Sequence, residues 1–155
     1  MKIALLVLAG VIFSGMPAPA ASAPIIDPAS FVAEVYRHLI ASEKTGQTYV
    51  PPEDVYTNRL AKLFRDDKKR AKGEVGCLDF DFWVNGQDWA ITRLSVTKGV
   101  ADQERQTVIA RFLNIHTPQE IHFDFRRAAG RWLLDEVHSE KEPRWILSKI
   151  LKCQP

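Results

Sequence analysis

Two cysteines, four histidines and eight glycines are all that this chain of 155 residues holds of the types that build thiol, metal and phosphate sites. The cysteines, Cys77 and Cys153, form no C-x-x-C pair, and neither stands near a histidine in sequence, so a thiol reaction is unsupported. The histidines (His38, His116, His122, His138) fall at no metal-ligand spacing, and from spacing alone neither a metal nor a cofactor is expected. No glycine-rich loop is of the phosphate-cradling kind. No nucleophile stands beside its base. Charge is close to balance, with 21 basic against 19 acidic residues and a formal net charge of +2. That removes the electrostatic ground for binding nucleic acid or an anionic membrane. The mixed-sign run from Arg65 to Lys72 reads as a solvated helix end whose cations suit the C-terminal dipole. No apolar run reaches the roughly 20 residues of a transmembrane helix.

The chain does carry an opening segment, MKIALLVLAGVIFSGMPAPAASA, that reads as a secretory signal. It has a basic Lys2, an apolar stretch from Ile3 to Phe13, and then small residues in an A-x-A pattern. Cleavage is expected near residues 20–23, after Ala20 or Ser22, because a cut after Ala23 would place Pro24 first. Residues 1–23 are then a signal peptide and residues 24–155 one domain, periplasmic or secreted, with no transmembrane anchor after cleavage. In an oxidising compartment Cys77 and Cys153 are expected to pair, closing a long loop. Two unpaired thiols are the alternative.

Periodicity outlines the domain. Asp27-Pro28 is an N-cap followed by proline at the first helical position. Phe31, Val35 and Leu39 then recur at helical spacing, predicting a helix over Pro28–Ser42. Pro51-Pro52 marks an extended connector. A second helix is predicted near Thr57–Lys72, capped by Thr57 and stopped at Gly73. From Gly76 the period becomes two. Leu78, Phe80, Phe82 and Val84 alternate with Cys77, Asp79, Asp81 and Trp83, and Asn85-Gly86 signals a type I′ hairpin. Further strands are predicted over Asp88–Lys98, Gln106–Ile115, Glu120–Arg127 and Arg131–Ser139, with Thr117-Pro118 as a break. Pro143 is expected to open a final short helix.

Helices followed by strands predict an α+β fold, a curved antiparallel sheet of four to five strands packed on two N-terminal helices with a short C-terminal helix. The segments FVAEVY (Phe31–Tyr36), YTNRLAKLF (Tyr56–Phe64), GEVGCLDFD (Gly73–Asp81), QDWAIT (Gln87–Thr92), VIARFLN (Val108–Asn114) and GRWLLDEV (Gly130–Val137) together resemble the bacterial exported domain-of-unknown-function family 3828. The resemblance covers nearly the whole chain after the signal. It implies the fold of nuclear transport factor 2 and an exported protein, and it implies no activity. The family pattern has proline where this chain has Asn58, at the start of the second helix.

The candidate pocket residues are Asp79, Asp81, Gln87, Asp88, Arg93 and Arg111. An aspartate in an apolar pocket has a raised pKa and can move protons. The plainer account is that Asp79 and Asp81 share the solvent face of a strand. A calcium loop fails by count in both registers, since Val84 or Trp83 stands where a loop residue is required. Arg111, between Ala110 and Phe112, is expected in a central strand, where a buried guanidinium must pair with an acid. His122, Asp124 and Arg126 alternate on one strand face, read as the solvent face. Two functions follow. The favoured one is a non-enzymatic binding or adaptor domain of the cell envelope, an immunity protein against a secreted toxin being one example. Its partner would be an envelope protein, a small ligand, or a second copy meeting it through the sheet face. The competitor is a small cavity enzyme of the isomerase, dehydratase or hydrolase kind, with one of the aspartates as general base and Arg93 or Arg111 orienting the substrate.

Overall fold

A computed structural model describes residues 23–47 and 49–154; the expected signal peptide lies, up to residue 22, outside the described residues. Helix α1 spans Pro28–Ser42. Asp27 caps it by accepting from the Ser30 N–H at 3.0 Å and from Ser30 Oγ at 2.8 Å. Its buried stripe is Val32, Val35, Tyr36 and Leu39. After a single 3-10 turn at Glu53–Val55 comes helix α2, Asn58–Ala71. Thr57 caps α2 through Oγ1, and the same hydroxyl donates to Asp135 at 2.8 Å. Asn58 thus holds the first helical position, one that proline also fits, and the helix starts after its Thr57 cap. Lys72 (φ 50°) and Gly73 (φ 96°) then turn the chain out of the helix.

Five strands make one antiparallel meander in the order of the sequence. They are β1 (Ile91–Ala101), β2 (Arg105–Asn114), β3 (Thr117–Ala128), β4 (Arg131–Ser139) and the two-residue β5 (Trp145–Ile146). Helix α3, Leu147–Ile150, closes the chain. Alternation assigns Val108, Ala110, Phe112, Ile121, Phe123 and Phe125 to one buried face, which meets the α1 stripe and Trp83. The architecture is the expected α+β fold, helices packed against one side of a curved antiparallel sheet.

Three local expectations are corrected. Leu78–Val84 is not a strand, and the Asn85-Gly86 hairpin reduces to one isolated bridge between Asp81 and Gly86. Asn85 does take a positive φ of 53°, but Gly86 does not, so the two-residue type I′ geometry is not formed. That geometry occurs instead at Ile115-His116 and Ala129-Gly130, where both residues have positive φ. The break thus falls before Thr117-Pro118, and Pro118 pairs with Leu113 inside the β2–β3 ladder. Finally, Trp145 and Ile146 form β5 rather than the start of a helix, because they complete pairing with Ser139 and His138.

Candidate functional site

Residues 73–90, which link α2 to β1, fold into a pinned loop that walls a cavity. Side chains replace the missing ladder. Asn114 accepts from the Ala90 N–H at 3.0 Å and donates to the carbonyls of Val84 (3.0 Å) and Asp88 (3.2 Å). Asn85 donates to Gln119 at 2.9 Å and accepts from Trp145 Nε1 at 2.7 Å. Tyr36 donates to the Trp83 carbonyl at 2.7 Å, and Trp89 Nε1 donates to the Leu39 carbonyl at 2.9 Å. The start of the loop is tied by the disulfide Cys77–Cys153, with Cα atoms 5.4 Å apart. Beside it, the buried Asp67 accepts from the Cys77 N–H at 3.1 Å and from Arg70, which also donates to the Leu151 carbonyl. A Cβ at Gly76 would stand 2.3 Å from Asp67 Oδ2, so the carboxylate fits there only against glycine.

The cavity, about 730 Å³ and open to solvent, lies between this loop, the outer face of α2 and the connector at 49–56. Its walls are mainly aromatic and aliphatic: Tyr49, Tyr56, Phe64, Phe80, Phe82 and Trp83. Val50 and Val75, both lining the cavity, are 78% and 74% exposed. Glu53 and Arg65 form an ion pair at the rim, and Lys68 stands nearby. Burial drives the Tyr56 phenol far above its ordinary value, so it stays a neutral donor.

Of the sequence candidates, Asp79, Asp81 and Gln87 line this cavity. Asp79 is exposed at the rim, where its carbonyl accepts from Gln87 Nε2 at 3.3 Å. Asp88 is exposed and lies outside the cavity; its carbonyl serves Asn114. Arg93 is exposed on β1 with φ 54°, within an irregularity of the β1–β2 register. Arg111 is not buried. It sits on the sheet face opposite the helices, half exposed, with its guanidinium across the Glu120 carboxylate at 2.9 and 3.2 Å. Alternation puts Ala110 and Phe112 in the core and therefore turns Arg111 outward. Among the described residues, neither Arg93 nor Arg111 joins Asp79 and Asp81 in the cavity lining.

Of the three candidate aspartates, Asp81 is the one drawn inward. Its Oδ1 accepts from the Trp83 N–H at 2.8 Å, while Oδ2 is buried without a hydrogen-bond partner among the described residues. Desolvation raises its pKa above the ordinary 3.8. The native state therefore binds this proton more readily than the unfolded chain. The carboxyl's contribution to stability is full below pH 3.8 and declines as pH rises through the native value. Asp81→Asn keeps an oxygen for the Trp83 N–H. It is expected to gain stability relative to wild type as pH rises from acid to neutral, measured by urea titration at both. A gap that moves the other way would mean a paired carboxylate.

Residues missed by sequence reading include Tyr49, Phe64 and Lys68. Phe64 has a legible signal, its place with Leu60 and Leu63 at helical spacing on α2, and it packs against the core as well as lining the cavity. Among the described residues, no helix is long and apolar enough to cross a membrane.

No protein-family model matches the sequence, and no curated protein matches it. Comparison with solved structures finds two matches. One is a chain of the type VI native effector–immunity complex Tae3–Tai3 from Ralstonia pickettii, at TM-score 0.50 and 18% identity, covering 74% of this chain and 96% of that one. The other is a phospholipid-binding protein from Ralstonia solanacearum, solved with a phospholipid, at TM-score 0.35 and 11% identity, covering 79% and 69%. The first likeness bears on the fold alone, and the second is too distant to carry an argument. The fold is thus α+β, compatible with that of nuclear transport factor 2.

Proposed function

We propose that this protein is an exported binding module of domain-of-unknown-function family 3828, with a nuclear-transport-factor-2-like fold, working in the periplasm or outside the cell. Its cavity receives an apolar or aromatic group of an envelope protein. The observation that carries this reading is an open aromatic-walled cavity whose lining includes two exposed valines, Val50 and Val75. Isolated exposed apolar residues are ordinary, but a pair lining an apolar cavity marks a contact surface. The disulfide suits an oxidising compartment. Protein binding has a precedent in this fold, since the Ralstonia pickettii structure is an effector–immunity complex. An immunity-type partner, a secreted toxin, is one form the reading takes.

The test is capture from periplasmic extract by wild type, by a Val50→Asp/Val75→Asp variant and by an unrelated exported control. A partner held by wild type and lost from the variant is expected. Equal retention by both would end the reading, as would no partner beyond those of the control.

Asp81 favours a second reading, a cavity enzyme with this carboxylate as general base, because its Oδ2 is desolvated and unpartnered. In that case Asp81→Asn abolishes turnover and leaves partner capture untouched. The arginines expected to orient substrate lie outside the cavity, and among the described residues its basic lining side chains are Arg65 and Lys68.

A further inference from the structure

The open face of the sheet, away from the cavity, brings together three side chains with metal-ligating atoms. His122 on β3 stands directly across from His138 on β4, with ring centroids 4.9 Å apart. Glu140 follows His138 by two residues and so shares its face. Its position is fixed because its N–H donates to the Glu120 carbonyl at 3.0 Å, extending the β3–β4 ladder past the end of β4. One ligating atom from each of His122, His138 and Glu140 lies within 4.8 Å of the other two. Ligand atoms around a tetrahedral zinc ion are roughly 3.3 Å apart, given bonds of about 2.0–2.1 Å. Closing on an ion therefore takes side-chain shifts of about 1 Å with no change in the strands.

We propose that His122, His138 and Glu140 form a binding site for a divalent transition-metal ion of the zinc class. The surroundings are those of a built site. His138 Nδ1 lies 2.9 Å from Glu140 Oε1, so an ion can take the place of the proton they share. His138 Nε2 lies 3.4 Å from Asp124, whose carboxylate also accepts from Thr107 Oγ1 at 2.6 Å. On the other side, His122 Nε2 is 3.0 Å from Glu120, itself held by Arg111. A carboxylate behind each imidazole fixes its ring and raises its basicity, the usual support for a ligating histidine. Two imidazoles and one carboxylate suit zinc, copper or nickel, and not magnesium or calcium, which take oxygen ligands. Three protein ligands leave a position for water or a partner's side chain. His138 and Glu140 also line a hollow of about 450 Å³ running to Trp145 and Lys149, which gives that position room.

The experiment is calorimetric titration of the full chain, purified without a histidine tag and stripped with chelator, using Zn²⁺ alone and then Zn²⁺ with excess Mg²⁺. One equivalent is expected to bind, with Mg²⁺ giving no competition. His122→Ala and Glu140→Gln should each weaken binding at least about tenfold, and Asp124→Asn by about 10–100-fold. Glu140 is an exposed side chain outside the core, so its variant reports on the ion rather than on folding. Cobalt-substituted protein should show a tetrahedral-type absorption band that Glu140→Gln removes. No zinc uptake by wild type would overturn the proposal. So would uptake unchanged in Glu140→Gln, which would place the ion elsewhere.

Discussion

Replacing both cysteines, Cys77→Ser with Cys153→Ser, is expected to cost about 4 kcal/mol of stability. The bond spans 76 residues, so its removal returns a large loop entropy to the unfolded chain. The tethered ends are also short of other anchors. Cys153 is exposed and follows the four-residue α3, while Cys77 lies in a loop without strand pairing. Asp67 and Arg70 hold the same junction, but Arg70 is substantially exposed and the Cys77 N–H contact is a single bond. A loss of this size lowers the melting temperature by roughly 10–20 °C for a domain of this length. Urea unfolding of the double variant against oxidised wild type measures it. A difference under about 1 kcal/mol would mean that the unfolded chain stays compact around this junction, or that the bond strains the native state. Partner capture should weaken in the same variant, because the loop that walls the cavity begins at this bond.

Trp83→Ala should cost about 3–5 kcal/mol, the range for truncating a large buried aromatic. Trp83 is fully buried and stacks on Phe123 with centroids 4.7 Å apart. Phe82 meets it at 5.3 Å, and Tyr36 and Phe31 meet it edge-on at 6.3 and 6.4 Å. It is the point where the loop over residues 73–90, α1 and the sheet share one core. Trp83→Phe separates size from polarity. The indole Nε1 is buried with no partner among the described residues, and an unpaired buried donor costs about 1–3 kcal/mol. Phenylalanine removes that donor, so its lost packing is partly offset. Trp83→Phe is therefore expected to retain most of the stability that Trp83→Ala loses, as read by urea titration. Equal losses in the two variants would mean that Nε1 is satisfied in solution.

The elements that local rules govern were legible. Asp27-Pro28 marked the start of α1, and Thr57 marked that of α2, because a cap needs only neighbours within one turn. The alternation of β2 and β3 matches their core faces, since a sheet with helices on one side sorts apolar residues by parity. The same parity rule failed at residues 78–84. Leu78, Phe80 and Phe82 are spaced like a strand, yet Trp83, which should have faced the other way, is buried as fully as its neighbour Val84. Aromatics on both parities fit a loop enclosed from two sides, by the sheet and helix α1 and by the cavity wall. Arg111 shows the limit from the other direction. Its parity was readable, but its position in a central strand suggested burial, and a central strand still has one open face.

What the sequence by itself determined is the run of helices and strands, the parity of β2 and β3, the two caps and the presence of two cysteines suited to an oxidising compartment. The tertiary structure decided which contacts those elements make. It brought Cys77 to Cys153, turned Asp81 inward while Asp79 and Asp88 stayed exposed, and closed a cavity between α2 and a loop. It also placed His122, His138 and Glu140 on one patch. The reason is physical. Caps and periodicity record energies paid within a few residues, whereas a cavity or a ligand set depends on which distant segment covers a given face. That choice is made by packing the whole core at once.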